Sequence, residues 1–436
     1  MVLPTGVNGR YASTAIFILA VLWIWVALDR PYSIPSHISW DIYSNRPTTS
    51  PSLNVFEYPP IRSAAFQEIC ANATFDSSVT FVCDDAPGDV TEVRNSILSC
   101  VRYAMKVGAD LVMPRITMRE DYSREKKGNS TSLDYMFDPG YFVQSLDHFC
   151  PDMRIYESEA EVLRQKDVLG RISLVPGSLV KPDAHGQIPQ DEWKSAFDSW
   201  LAKQIPDSGR HIIMELAHSF LQYPVWGDDA DFAVSFGKIL KFRYDIGTLA
   251  TMTLVKLSST LQTPFDIGYP IIPESFLGVH LSTQMDPTDV TSKVDQANYQ
   301  YLIQSQLYLD QAVSSNITAI YTSSDSTEDL SAFHKDAEAL GISVFTKFDL
   351  LKGQDRATLL DLTLDQQKLV DFLVLYKASG FLGVSQSSLA WNVALHRHKF
   401  AQQVIYLDGP EAFSDDLSQV YGRPKSHTKF SAGMWP

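Results

Sequence analysis

At 436 residues, 45% of them hydrophobic and 20% charged, the chain is long enough for two domains and too apolar for extended disorder. A net charge of −15, unrelieved by any Lys/Arg run, excludes a nucleic-acid partner, because a phosphate backbone needs a positive field. The absence of Walker, G-x-G-x-x-G, H-E-x-x-H, C-x-x-C and G-x-S-x-G motifs removes P-loop enzymes, dinucleotide oxidoreductases, zincins and serine hydrolases.

Residues 1–10 read as a short cytosolic tail ahead of an uncharged run, Tyr11–Leu28 (YASTAIFILAVLWIWVAL). At about 1.5 Å per residue a helix there covers roughly 27 Å, enough for an endoplasmic reticulum bilayer. Trp23 and Trp25 suit its interface. Cleavage as a signal peptide is disfavoured, since a cut after Ala27 puts the bulky Trp25 at the third position back. The segment is therefore expected to be an uncleaved transmembrane anchor. Residues 29–60 hold six prolines among Ser, Thr and Asn and are expected to be a stem. Three N-x-S/T sequons follow, at Asn72, Asn129 and Asn316, and all four cysteines, Cys70, Cys83, Cys100 and Cys150, also lie beyond the anchor. An even cysteine count there permits two disulfides in any of three connectivities. Together these features predict a single-pass type II protein of the Golgi or endoplasmic reticulum membrane, with its folded part in the lumen.

Order is expected from Ile61 onward. Val79–Cys83 is a short β-branched and aromatic run, a buried strand. A helix follows, with apolar Val93, Ile97, Leu98, Val101 and Ala104 on one stripe and a stop at Gly108. Asp110–Pro114 is the next strand, completing a βαβ unit. Residues 120–136 read as a polar loop, Ile212–Leu216 as a strand, and Phe232–Leu240 as a helix. The last third alternates clearly. Strands are expected at Leu277–Leu281, Ile317–Thr322, Ile342–Phe345 and Phe381–Val384, with helices at Val294–Val313, Thr327–Leu340, Leu364–Ala378 and from Ser388 towards His398. This predicts an α/β fold of two Rossmann-like lobes, 61–250 and 251–436.

Ligands of open α/β sheets bind beyond the carboxyl ends of strands, which singles out loops Asp84–Arg94, His280–Asp286 and Ser385–Ser388. Ser385-Gln-Ser-Ser388 offers hydroxyls and free N–H groups at a helix start, suited to a pyrophosphate, although Ser is equally an ordinary N-cap. Asp84-Asp85 lacks the context of a metal site, and no metal is expected.

Three segments resemble the GDP-fucose protein O-fucosyltransferase superfamily, in particular its fungal members, across about 79–400. They are Gly88-Asp-Val-Thr-Glu-Val-Arg94-Asn95-Ser-Ile running to Arg115, Gly278-Val-His280-Leu-Ser282-Thr-Gln-Met-Asp286, and Gly383-Val-Ser-Gln-Ser387-Ser388-Leu-Ala-Trp391 followed by Arg397. The resemblance implies a GT-B fold and an inverting transfer of a sugar, fucose by family, from a GDP-sugar to a hydroxyl acceptor, with no cofactor beyond that donor. It implies catalytic roles for His280, Arg94, Glu92 and Asp89, the two carboxylates being the candidate bases. Donor contacts are implied for Gly88, Asn95, Ser282, Asp286, Asp325, Ser387, Ser388 and Arg397. Two departures stand out. Ser282 occupies the arginine place of the family's H-x-R motif, and Gln284 an acidic place. Losing a cation from a departing diphosphate costs on the order of 10²–10³ in rate. Arg397 is then the candidate replacement cation, and a catalytically degenerate, sugar-nucleotide- or glycan-binding or scaffolding relative is the alternative function.

Overall fold

The computed structural model describes residues 54–75, 78–84, 88–118, 129–204, 210–283, 300–402, 404–405, 411–422 and 428–436. The expected anchor 11–28 lies outside the described residues. Among those described, no helix is long and apolar enough to cross a membrane.

The first half of the chain contributes β1 (Val79–Cys83), β2 (Asp110–Val112), a hairpin of β3 (Arg115–Thr117) and β4 (Ser130–Ser132), β5 (Ile155–Tyr156), β6 (Val168–Leu174) and β7 (His211–Leu216). All but the hairpin form one parallel sheet in the order β5-β2-β1-β7-β6. The second half supplies β8 (Leu277–Leu281), β9 (Ala319–Ser324), β10 (Ser343–Phe345), β11 (Gly380–Val384), β12 (Val404–Ile405), β13 (Glu411–Asp415) and β14 (Ser418–Tyr421). Their order is β10-β9-β8-β11-β14-β13-β12, parallel from β10 to β14 and antiparallel beyond. The hairpin corrects part of the expected loop: residues 130–132 pair with β3, and 119–128 lie outside the described residues.

Five helices position the site: α1 (Val90–Val107), α2 (Tyr244–Leu261), α3 (Tyr301–Ser314), α4 (Leu364–Lys377) and α5 (Ser388–His398). Helix α1 starts on a capping box, Asp89 with Glu92, and ends at Gly108 in the left-handed region (φ 70°). A Cβ at Gly108 would stand 1.8 Å from the Thr74 carbonyl oxygen, so only glycine fits there. Residue 250, the expected lobe boundary, falls inside α2. The chain then returns at its end to the first sheet's side. Trp435 is buried against Tyr223, Phe232 and Phe236, and its indole N–H donates to Ser99 Oγ (3.3 Å). Residues 54–60, the tail of the expected stem, also pack on the folded body. Val55 N donates to Thr251 Oγ1 (3.1 Å), and Tyr58 Oη to the Lys238 carbonyl (2.9 Å).

Cysteine pairing takes one of the three open connectivities, Cys70–Cys150 and Cys83–Cys100. The second ties β1 to α1, and the first closes 80 residues. By loop-closure entropy these contribute about 3 and about 4.5 kcal/mol respectively.

Candidate functional site

Register brings the second sheet's strand ends to one level. His280 pairs across from Ser323, Leu281 from Ser324, and β11 ends beside β8. The residues just past those ends form the candidate site.

His280 sits on the penultimate position of β8, 3% exposed, and its Nδ1 has no partner among the described residues. Burial, then the charge of Lys368, push its pKa down to about 4 against the opposing pull of Asp325, Asp89 and Asp371. At neutral pH it is an uncharged hydrogen-bonding group. The cation of the site is Lys368, from the second turn of α4, whose Nζ lies 2.7 Å from Asp325 Oδ2. Burial raises the Asp325 carboxyl, but Lys368, through charge and hydrogen bond, outweighs it and holds the group below its ordinary range. Beneath them Asp371 accepts from Tyr321 Oη (2.6 Å) and Ser323 Oγ (3.2 Å) and pairs with Lys347, which fixes β9 to α4.

The serine loop lies alongside. Ser387 caps α5, accepting from Ala390 N (3.1 Å). Ser388 Oγ donates to Asp89 Oδ2 (3.2 Å) and accepts from Thr91 Oγ1 (3.0 Å), so the N-termini of α1 and α5 meet. A carboxylate thus already stands where two helix dipoles favour an anion. Asp89 Oδ1 also accepts from Thr91 N (2.9 Å) and Glu92 N (3.1 Å), and Glu92 Oε2 accepts from Asp89 N (3.2 Å). Gly88 has φ 138°, and a Cβ there would meet Glu92 Oε2 at 2.2 Å. Ser282 is held by both backbone groups to the Gln304 amide of α3 (3.0 and 2.8 Å).

Of the residues singled out by sequence, the structure brings together His280, Asp325, Asp89, Ser387 and Ser388. Three others it places elsewhere. Arg94 donates to the carbonyls of Gly237 (2.7 Å), Trp435 (2.9 Å) and Pro436 (2.9 Å), latching the chain's last residues. Asn95 joins it, donating to Gly433 O and accepting from Trp435 N. Arg397, fully buried, spends its guanidinium on the carbonyls of Tyr376 (2.9 Å), Ala378 (2.7 Å) and Leu417 (2.8 Å) and on Ser418 Oγ (3.1 Å). It is a brace between α4, α5 and β14, not a cation at the strand ends. Asp286 and Gln284 lie outside the described residues. Lys368 was not singled out by sequence. The signal was present, since Thr363 and Gln366 make a capping box that places Lys368 just inside a helix start.

Two largely parallel sheets, with helices that start just past their strand ends, define an α/β protein of the class that binds ligands at those ends. The chain belongs to the GDP-fucose protein O-fucosyltransferase family, whose model matches residues 81–399. Solved structures similar to it include POFUT1 in complex with GDP, at 11% identity and a TM-score of 0.46, covering 80% of this chain and 100% of that one. The fucosyltransferase NodZ from Bradyrhizobium is 13% identical, with a TM-score of 0.35 and coverage of 70% and 88%. A mutant of Arabidopsis thaliana FUT1 in complex with GDP is 11% identical, with a TM-score of 0.35 and coverage of 76% and 71%. No curated protein matches the chain.

Proposed function

We propose that this protein is a glycosyltransferase that takes a GDP-sugar, with fucose the sugar implied by its family, and passes the sugar with inversion to a hydroxyl acceptor. The observation that carries the reading is the Lys368–Asp325–His280 group beside the Ser387–Ser388 helix start, within a chain of this family. The diphosphate docks on the N-terminus of α5 and is neutralised by Lys368, which takes over the duty left open by Ser282. Neutral His280 orients the donor through its unpartnered nitrogen. Asp89, released from Ser388 by the arriving phosphate, accepts the acceptor's proton. The acceptor oxygen bonds to the anomeric carbon as the bond to phosphate breaks, and GDP leaves with that electron pair.

A lumenal, type II membrane setting in the Golgi or endoplasmic reticulum belongs to the same proposal. Two disulfides and three sequon asparagines exposed on the surface support it. No cofactor beyond the donor is proposed.

A second reading, a sugar-nucleotide-binding relative without catalysis, is favoured by Ser282 and by the carboxylate already seated on Ser388. Incubation with radiolabelled GDP-fucose decides between them. Release of fucose, or its transfer onto a glycan or protein acceptor, supports the enzyme. GDP binding with turnover no faster than buffer supports the second reading.

A further inference from the structure

A separate cavity of about 500 Å³ lies away from the strand ends, among the C-terminal turns of α4 and α5, the start of α2 and residues 54–62. That volume is in the range of small-molecule sites. Its walls are aromatic and aliphatic, including Phe56, Tyr58, Phe242, Leu373 and Tyr376. The charged side chains of the lining are almost all of one sign: Arg62, Arg94, Lys238, Arg243, Lys377 and Lys399 against a single acidic one, Glu57, while burial and these cations keep His396 uncharged.

Glu57 is already taken by Lys241, at 2.6 Å, and Arg243 by Asp245. Lys377 is satisfied by the carbonyls of Ile267 and Tyr269. That leaves Arg62, Lys238 and Lys399 with no ion pair among the described residues, around the buried Arg94, whose partners are backbone oxygens. Lys399 Nζ lies 3.4 Å from His396 Nε2, and the His396 ring stacks on Tyr376 at 3.8 Å. Clustered like charges beside apolar walls cost free energy unless an anion joins them. Burial, Lys238 and Arg94 push Lys399 down to about 7, the response of an amine crowded by cations.

We propose that this cavity is a binding site for a small organic anion with an aromatic or aliphatic body, the anionic group held by Lys238 and Lys399 and the body by the Tyr58–Tyr376 walls. The site is distinct from the strand-end group and does not depend on that group's binding a nucleotide.

The test is calorimetric titration of the full chain, in a neutral detergent, with naphthalene-1-sulfonate and with its uncharged isostere naphthalene-1-sulfonamide. The sulfonate is expected to saturate at one site per chain, the sulfonamide to bind at least tenfold more weakly. Lys238→Met with Lys399→Met should weaken the sulfonate on the order of tenfold or more and leave the sulfonamide unchanged. Removing crowded cations should hold or raise Tm, so loss of binding will not reflect unfolding. Absence of saturable binding, equal affinity for the two compounds, or an unchanged sulfonate affinity in the double variant would overturn the proposal.

Discussion

Replacing Lys368 by Met tests the assignment of the site's cation. In the free protein the change strips Asp325 of a partner at 2.7 Å, in a pair whose side chains are 8% and 27% exposed. Breaking a fully buried pair costs about 3–5 kcal/mol. Solvent still reaches Asp325, so the loss here should be about 1–3 kcal/mol, read as a lower Tm. Binding should suffer separately. A charge-assisted hydrogen bond to phosphate is worth about 1.5–3 kcal/mol, so the Kd for GDP should rise roughly 10- to 150-fold. Two companion variants separate the effects. Lys368→Arg keeps the cation and should keep GDP within a few-fold of wild type. Asp325→Asn breaks the same pair but spares the cation, and should lose stability without the large loss of affinity. The assay is calorimetric GDP titration beside a thermal melt for each variant. Wild-type affinity in Lys368→Met, with its Tm lowered, would refute the placing of this lysine against the diphosphate.

Four further outcomes are expected. Asp89→Asn, which keeps a good N-cap but removes the charge on Ser388, should tighten GDP several-fold in a titration while abolishing sugar transfer. Ser282→Arg should leave the Kd for GDP within a few-fold of wild type, because Lys368 already neutralises the diphosphate; a tenfold or larger gain would show that the place of the motif arginine is still open. Arg397→Met should cost several kcal/mol of stability, seen in denaturant melts, because it strands the carbonyls of Tyr376, Ala378 and Leu417 at the end of α4 and the start of β14. The pH dependence follows from His280, held at about 4 in the folded state against an ordinary 6.5. The unfolded chain binds this proton first, so stability is complete above pH 6.5 and falls as pH drops towards 4. This one group contributes about 3 kcal/mol of that fall, and His280→Asn should flatten the slope measured by urea denaturation at pH 4.5–6.5.

The parts of the fold that sequence made legible are those whose local chemistry agrees with their burial. Val79–Cys83 is buried along nearly its whole length, and the next helix carries both its start signal, Asp89 with Glu92, and its stop, Gly108. Strand β6 was hidden because it is an edge strand with a mostly exposed pattern, so Val168–Leu174 shows no apolar run. Helix α4 was expected at nearly its observed bounds, but it is buried on all sides, so no one-sided stripe marks its faces and nothing local shows that Lys368 points at the strand ends. Residue type misdirects in the same way for Arg94 and Arg397. An arginine near a motif invites an anion, yet both spend their donors on backbone carbonyls that only the folded chain brings together. The latching of the chain's last residues onto Asn95 and Arg94 joins positions more than 330 apart, beyond any local pattern.

The most direct test of the account is calorimetric titration of the purified protein with GDP, GDP-fucose, UDP and ADP. Saturable one-to-one binding of GDP and GDP-fucose is expected, at least tenfold tighter than UDP or ADP and weakened roughly 10- to 150-fold by Lys368→Met. A folded protein that binds none of the four, or binds them all alike, would contradict it.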